Sequence, residues 1–423
     1  MALKDNLNNT MMDSSVGIVL ENHNPGEATF VSRVLHTVDP NVSSGSHWGE
    51  DIAVGDGVIV VGAPFDSFGG DTTAGGLTIL DLDGNFIRHI SPDVDGGVLG
   101  TSRTTRYMGR SVAVGDGRIV AGMFSNSLPN TPGGLYILDM QGQFINYAVH
   151  PSAGSSNDYK YVGYASCAVG GGVIAADSGN YLASIGKINF WDLNGNFLSS
   201  YAGANGGVND QLGTNISYGD GKFGSGAPLL NSEQGAAFVF PIAREADGIL
   251  SDQMNYGTML SGISGTLQRH GHAVNIASGF YVAAAPRYNT YQGKIVFYTV
   301  RNNHVFNNSW ETQRYGDTGL DRFGTSLATG SNRIAVGAPQ DTTGPGYVRI
   351  FSEPPTASTI ATLYPSDGSN STTTGMKFGA KVAIGCGRIV VAAPGWNSNS
   401  GLIHIYKLRS SLIDDFEAWR NKT

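Results

Sequence analysis

Apolar residues in this chain alternate with polar ones or run continuously over short stretches, and glycine-rich turns bound each stretch. That is the pattern of strands, since a helix would space its apolar positions three and four apart. From Gly49 to Val61, two such stretches flank the turn Gly55-Asp56-Gly57. The turn recurs as Gly115-Asp116-Gly117, Gly219-Asp220-Gly221 and Gly385-Cys386-Gly387. A two-residue hairpin turn demands positive φ, and glycine supplies it. Farther on, Leu77 to Ile87 reads as a third strand, an Asp83-Gly84 turn and a fourth strand, with parallels at Leu135 to Ile145 and Ile188 to Leu198.

The unit repeats seven times. Its clearest copies begin at Trp48-Gly49, Phe323-Gly324 and Phe378-Gly379, each followed by an Ala-Pro at the end of the second strand. Weaker copies begin at Met108-Gly109, Val162-Gly163, Leu212-Gly213 and His270-Gly271. Successive anchor glycines are 60, 54, 50, 58, 53 and 55 residues apart, the size of four short strands with their turns, hence of one propeller blade. The large residue before each anchor suits a plug between blades, and the glycine lets two backbones approach where a Cβ would collide.

The two ends complete each other. After the seventh anchor the chain supplies only Lys381 to Ile384, Arg388 to Ala392 and Leu402 to Leu408, one strand short. Ahead of the first anchor, Thr29 to Pro40 matches the fourth-strand segments Phe86 to Pro92 and Ile360 to Pro365. The expected fold is therefore all-β, a seven-bladed β-propeller of four-stranded blades whose last blade is closed by an N-terminal strand, removing exposed sheet edges. Residues 28–408 form this ring, 1–27 an N-terminal arm and 409–423 a C-terminal tail. Leu412, Phe416 and Trp419 lie on one face of a short amphipathic helix in that tail.

On these motifs, residues 29–408 resemble the FG-GAP repeat family, the propellers of integrin α heads and of many bacterial and phage surface proteins. In the integrin relatives several blades carry a calcium loop, Asp-x-Asp-x-Asp-Gly, between the first two strands. Only short Gly-Asp-Gly turns stand there in this chain, so that calcium site does not carry over.

Composition narrows the functional classes. Glycine at 60 residues of 423 is about twice its usual share, as tight turns require. Charged residues are only 14%, so Asn, Ser, Thr, Gly and Tyr must build much of the surface, which suits sugars or protein partners. A net charge of −8 argues against nucleic acid, whose phosphates need clustered cations. The one basic cluster, Arg103, Arg106 and Arg110, reads as a solvated loop. Cys167 and Cys386 read as buried or semi-buried free thiols. No stretch is long and apolar enough to span a membrane. The opening Met1-Ala2-Leu3-Lys4-Asp5-Asn6 is polar at once, unlike a secretory leader.

No catalytic, phosphate-binding or cofactor motif is present, and neither a cofactor nor a metal is expected. His270-Gly271-His272 offers two metal ligands without a local third, and His270 occupies a plug position. Asp81-x-Asp83-Gly84 reads as a hairpin turn, while Asp66 with Asp71 is the remaining candidate for an ion. Long segments between the second and third strands, and between blades, emerge on one face of a propeller and are where function is expected. They carry Phe68, Tyr181, Tyr288, Tyr291 and Trp396, aromatic candidates for a host-surface protein or glycan, or else side chains folded down over blade edges. The apolar patch with Val16, Ile18, Val19 and Leu20 marks the arm as an attachment segment.

The expectation is a non-enzymatic structural and adhesion protein of a virion, in the capsid, neck or tail, held to other virion proteins through its terminal arms. A carbohydrate-binding lectin is the alternative. A glycoside-active propeller comes third, because it needs paired carboxylates over the channel and only Glu50 and Asp51 stand near such a position.

Overall fold

The Gly-Asp-Gly segments fold as the hairpin turns their composition requires. Asp56 and Gly57 take φ of 48° and 87°, Asp116 and Gly117 50° and 71°, and Asp220 and Gly221 51° and 69°. Positive φ at both central residues matches the twist of the flanking strands. The computed structural model describes residues 28–67, 72–92, 106–124, 133–152, 161–178, 186–202, 210–242, 258–261, 267–277, 279–301, 304–306, 312–340, 344–354, 356–365 and 374–408. The attachment patch Val16, Ile18, Val19 and Leu20 and the tail residues Leu412, Phe416 and Trp419 lie outside them.

Among the described residues, seven antiparallel sheets follow one another along the chain. Their inner strands are Ile52–Gly55, Val112–Gly115, Val162–Gly170, Ile216–Gly219, Val274–Ala277, Ser326–Gly330 and Lys381–Gly385. Each inner strand abuts the next, and Lys381–Gly385 meets Ile52–Gly55 to close the ring. The fold is a seven-bladed β-propeller.

Strand counting placed the closure correctly. The last sheet runs Ala28–Leu35, Leu402–Leu408, Arg388–Ala393, Lys381–Gly385, so the N-terminal strand forms its outer edge. Ala28 stands opposite Leu408 and Leu35 opposite Leu402, with a bulge between Phe30 and Ser32. The Phe30 ring meets His404 and Tyr406 edge-on at 5.9 and 5.7 Å. The fifth blade departs from four simple strands. Its outer position is shared by His304–Phe306 and Gln313–Tyr315, which pair with opposite halves of Lys294–Arg301.

The core lies between blades. The plugs Trp48, Met108, Val162, Leu212, His270, Phe323 and Phe378 are all at most 2% exposed, and burying an apolar side chain of this size contributes about 1.5–3 kcal/mol. Each plug sits in a tight turn. Glu50 donates its amide to His47 at 2.9 Å, His272 to Arg269 at 3.1 Å, Thr325 to Arg322 at 3.1 Å and Ala380 to Lys377 at 2.9 Å. The third residue of these turns is the anchor, with φ of 88° at Gly49 and 90° at Gly324, as a type II turn demands.

The anchors also meet the neighbouring blade. A Cβ on Gly62 would run into the Gly109 carbonyl, one on Gly122 into Gly163, one on Gly226 into Gly271 and one on Gly337 into Gly379. At the other three junctions, Asp177, Ala284 and Ala392 set their Cβ atoms against Gly213, Gly324 and Gly49. Asp177 replaces the usual second-strand glycine, and its carboxylate accepts the amides of Ala165 and Ser166 at 3.0 and 3.1 Å.

Aspartates and arginines strap the opposite face. Gly117 donates to Asp56 of the preceding blade at 2.9 Å and Gly172 to Asp116 at 2.7 Å. Arg388 reaches from the last blade to the Leu82 carbonyl and to Asp83, at 3.0 and 2.8 Å. The Asp81, Asp139 and Asp192 carboxylates each accept two amides of their own turn, at 2.8–2.9 Å. Hairpin closure therefore occupies Asp81. Asp66 is fully buried, and its Oδ1 takes the Ser43 amide and hydroxyl and the Ser67 amide; Asp71 lies outside the described residues.

Two side-chain expectations need correction. Cys386 is exposed, because it occupies a hairpin turn at φ 50°, whereas Cys167 is buried and burial pushes its thiol up to about 12. Arg106 is 3% exposed, not solvated, because its backbone accepts the Phe124 amide at 3.0 Å and its charge lies near the Tyr147 hydroxyl; Arg103 is outside the described residues. Among the described residues no helix is long and apolar enough to cross a membrane.

Two predictions follow from closure and from the glycine contacts. Removing residues 1–40 deletes the closing strand and should lower the melting temperature by more than about 10 °C or abolish folding. Removing 1–27 leaves that strand whole and is the control. Equal melting curves would refute closure by Ala28–Leu35. Gly337→Ala should cost about 3 kcal/mol or more, because its Cβ meets backbone. Gly57→Ala, strained in φ but facing open space, should cost only about 1 kcal/mol; denaturant titration of both separates contact from conformation.

Candidate functional site

Among the described residues, the start of each loop between second and third strands and the chain leading to each plug lie on the face opposite the Gly-Asp-Gly turns, at one mouth of the central channel. Three positions per blade recur there: the residue before the plug, the first residue after the anchor and the residue that follows Ala-Pro. The turn around each plug sets their directions. Residues before the plug are held at positive φ, 56° at His47, 50° at Tyr107, 56° at Arg269 and 55° at Arg322. Such values are uncommon outside glycine. Backbone bonds to the preceding blade enforce them: His47 donates to Asn399 at 2.9 Å, Tyr107 to Thr73 at 3.1 Å, Arg269 to Glu233 at 2.8 Å and Arg322 to Tyr291 at 2.7 Å.

Over the first three blades these positions, joined by Phe124 where sister copies have the proline, make a run of rings. His47 lies 4.5 Å from Phe65, Phe65 5.5 Å from Tyr107, and Tyr107 stacks on Phe124 at 4.9 Å and 10°. Phe124 then meets Tyr161 and Tyr164 at 5.9 and 4.6 Å. Phe124 is buried, and the other rings are partly exposed. The Arg110 guanidinium lies 4.7 Å from the Tyr164 ring and 3.5 Å from Glu50.

Blades four to six carry guanidiniums instead. Glu233 accepts from Arg269 at 2.8 Å and from Arg287 at 2.6 Å. Tyr291 stands between Arg287 and Arg322, whose guanidinium carbons are 5.6 and 5.3 Å from its ring. Lys381 sits between the halves. It bonds Asp51 at 3.2 Å, and its charge acts on both Glu50 and His272.

The acids of the mouth are engaged. Burial alone would raise the Glu50 carboxyl, but the His47 hydrogen bond and the Arg110, His47 and Lys381 charges hold it below the usual range. Asp51 accepts the Val112 amide at 2.8 Å besides its ion pair. A general acid for glycoside cleavage needs the opposite shift.

Of the five aromatic candidates, Phe68 and Tyr181 lie outside the described residues. Tyr288 and Tyr291 share the fifth-blade loop but do different things. Tyr288 covers Lys294, whose Nζ is 4.3 Å from the ring; that lysine is 2% exposed and burial lowers it to about 8. Trp396 packs down on the core joining blades six and seven. The loops bearing these residues are compact. Asn231 to Glu233, Asn289 to Tyr291 and Asn397 to Asn399 each take three consecutive positive φ values between 45° and 66°, and the Gly235, Gly293 and Gly401 amides close the turns at 2.9–3.1 Å.

The sequence pointed to this face but not to these ring and guanidinium residues. Their signal was there in the column before the plug, which reads His47, Tyr107, Tyr161, Gln211, Arg269, Arg322, Lys377, aromatic early and cationic late. His270 fills its plug site and meets the Tyr298 hydroxyl at 2.9 Å. Among the described residues no group of three or more His, Cys, Asp or Glu is placed to hold a metal ion.

No family model matches the chain, and no curated protein matches it. Among solved structures it is similar to Kuenenia stuttgartiensis hydrazine synthase, with a TM-score of 0.52 and 8% identity over 88% of this chain and 98% of that one. At that identity the likeness is one of fold alone.

Buried histidines make stability depend on acidity. Desolvation, aided by the Lys294 charge on His270 and the Arg33 charge on His404, lowers both to about 3. Both are 0% exposed. The unfolded chain takes up these protons below about 6.5 and the native state does not, so stability is full above that pH and falls down to about 3, by up to ~1.4 kcal/mol per unit for each histidine. Neither His404 nitrogen has a hydrogen-bond partner. His404→Phe should therefore flatten the decline, measured by urea midpoints between pH 7 and 4; an unchanged slope would contradict this.

Proposed function

We propose that this chain is a non-catalytic binding propeller, a structural and adhesion component displayed on a larger assembly, and that the assembly is a virion. The observation that carries the reading is the run of rings from His47 to Tyr164 at the channel mouth. Partly exposed rings packed against one another around the buried Phe124 offer a preformed contact surface with little side-chain entropy left to lose. The ion-paired state of Glu50 and Asp51 supports binding over hydrolysis. Apolar patches outside the propeller, Val16 to Leu20 and Leu412, Phe416 and Trp419, supply docking segments for neighbours in the assembly. The carbohydrate-binding alternative names a ligand for the same mouth and is compatible with display.

Quantitative mass spectrometry of purified particles and of cleared supernatant tests the setting. Co-purification with particles in fixed ratio to their main structural protein is expected. Recovery of the chain only as free protein would overturn the virion assignment.

A further inference from the structure

The chain enters and leaves the ring at one corner. Ala28, where residues 1–27 run into the closing strand, stands directly opposite Leu408, from which residues 409–423 continue. That end of the strand pair belongs to the turn face, because Arg388 stands opposite Lys407 and Leu408 donates its amide to the Gly387 carbonyl at 2.9 Å. The other end, Leu35 opposite Leu402, adjoins Gly401, where an added Cβ would strike the Trp48 carbonyl. Entry and exit are therefore separated from the mouth by the length of Leu402–Leu408, about 20 Å.

The ring adds apolar surface beside this corner. The Asp83-Gly84 turn of blade one leans on the closing strand: Ser32 donates its hydroxyl to the Asp83 carbonyl at 2.8 Å, and a Cβ on Gly84 would meet Val34 and Ile405. Just after that turn Phe86 and Ile87 are exposed, and among the described residues they are the one adjoining pair of large exposed apolar side chains. Chain length keeps the terminal apolar segments near them. A residue spans at most about 3.5 Å, so Leu412 stays within about 14 Å of Leu408 and Leu20 within about 28 Å of Ala28.

Two segments that start from paired residues act as one bivalent anchor, since binding of either holds the other at high effective concentration. Leu412, Phe416 and Trp419 at helical spacing suit an apolar groove. A second copy offers few large exposed apolar side chains among its described residues to receive them. The receiver is accordingly a different protein.

We infer that the turn-face corner of blades seven and one, together with residues 1–27 and 409–423, is a single interface that seats the propeller on an apolar surface of a different structural protein of the particle, with the mouth facing away. This rests on the assembly reading above and adds its orientation and the character of its partner.

The test assembles particles with variant chains and counts copies per particle by quantitative mass spectrometry. Deleting 1–27 or 409–423 spares every strand of the ring and should lower retention at least about tenfold, and deleting both should abolish it. The purified variants should melt within a few degrees of the parent. In the full chain, a maleimide photocrosslinker on the exposed Cys386 should give adducts with one other structural protein of the particle, while the buried Cys167 stays unlabelled. The same reagent on Ser398→Cys in a Cys386→Ser background should give none, because Ser398 is exposed at the mouth end of the same blade. Adducts from position 398, adducts only between copies of this chain, no adduct from Cys386, or full retention without either segment would each overturn the inference. Absence of the full chain from particles would sink the assembly reading itself, whereas retention with adducts from position 398 would sink the orientation alone.

Discussion

The structure depends on backbone touching backbone between blades. Where Gly62 faces Gly109, or Gly337 faces Gly379, there is no room for a Cβ on the second-strand residue. Glycine inside a strand ordinarily weakens it by about 0.5–1 kcal/mol relative to alanine. Here the close approach brings Met108, Val162 and Phe378 fully out of water, and each such burial outweighs that cost. The anchor glycine facing it ends its plug's turn and donates to its own blade, as Gly379 does to Ala392 at 3.0 Å. One residue thus fixes a turn, a strand start and a blade junction together.

Rigidity at the junctions is what makes the mouth a site. Residues before the plugs are positioned by the turn and by a bond from the preceding blade, so their side chains are aimed by two blades at once. That explains how His47, Tyr107, Arg269 and Arg322 keep positive φ. Single-turn loops such as Asn289 to Tyr291 hold the strain in the same way, with Gly293 closing on Tyr288 at 3.1 Å. Closure by Ala28–Leu35 extends this order around the ring, because an open seventh blade would leave the edge of Leu402–Leu408 unpaired.

Electrostatics divides the molecule by face. On the turn face, Asp56, Asp116 and Arg388 join neighbouring blades through backbone groups. At the mouth, charges meet aromatic rings and one another, as Arg287 and Arg322 do around Tyr291. An aspartate in a Gly-Asp-Gly turn therefore serves architecture, although its composition alone suggests only a turn.

The sequence by itself determined the repeat, the blade count, the turns and the closing strand. These follow from local rules: positive φ needs glycine, buried strands need apolar runs, and strand counts must balance. It also placed His270 as a plug and Asp81 in a hairpin, because sister copies constrain those positions. The site was only partly legible. Tyr288, Tyr291 and Trp396 sit in adjacent or equivalent loops by sequence, yet one covers Lys294, one stands between arginines and one packs down on the core. Only the tertiary structure decided this, because side-chain direction at a loop depends on the neighbouring blade. For the same reason it alone brought Glu50 to Arg110 of the next blade and Lys381 of the last blade to Asp51 of the first.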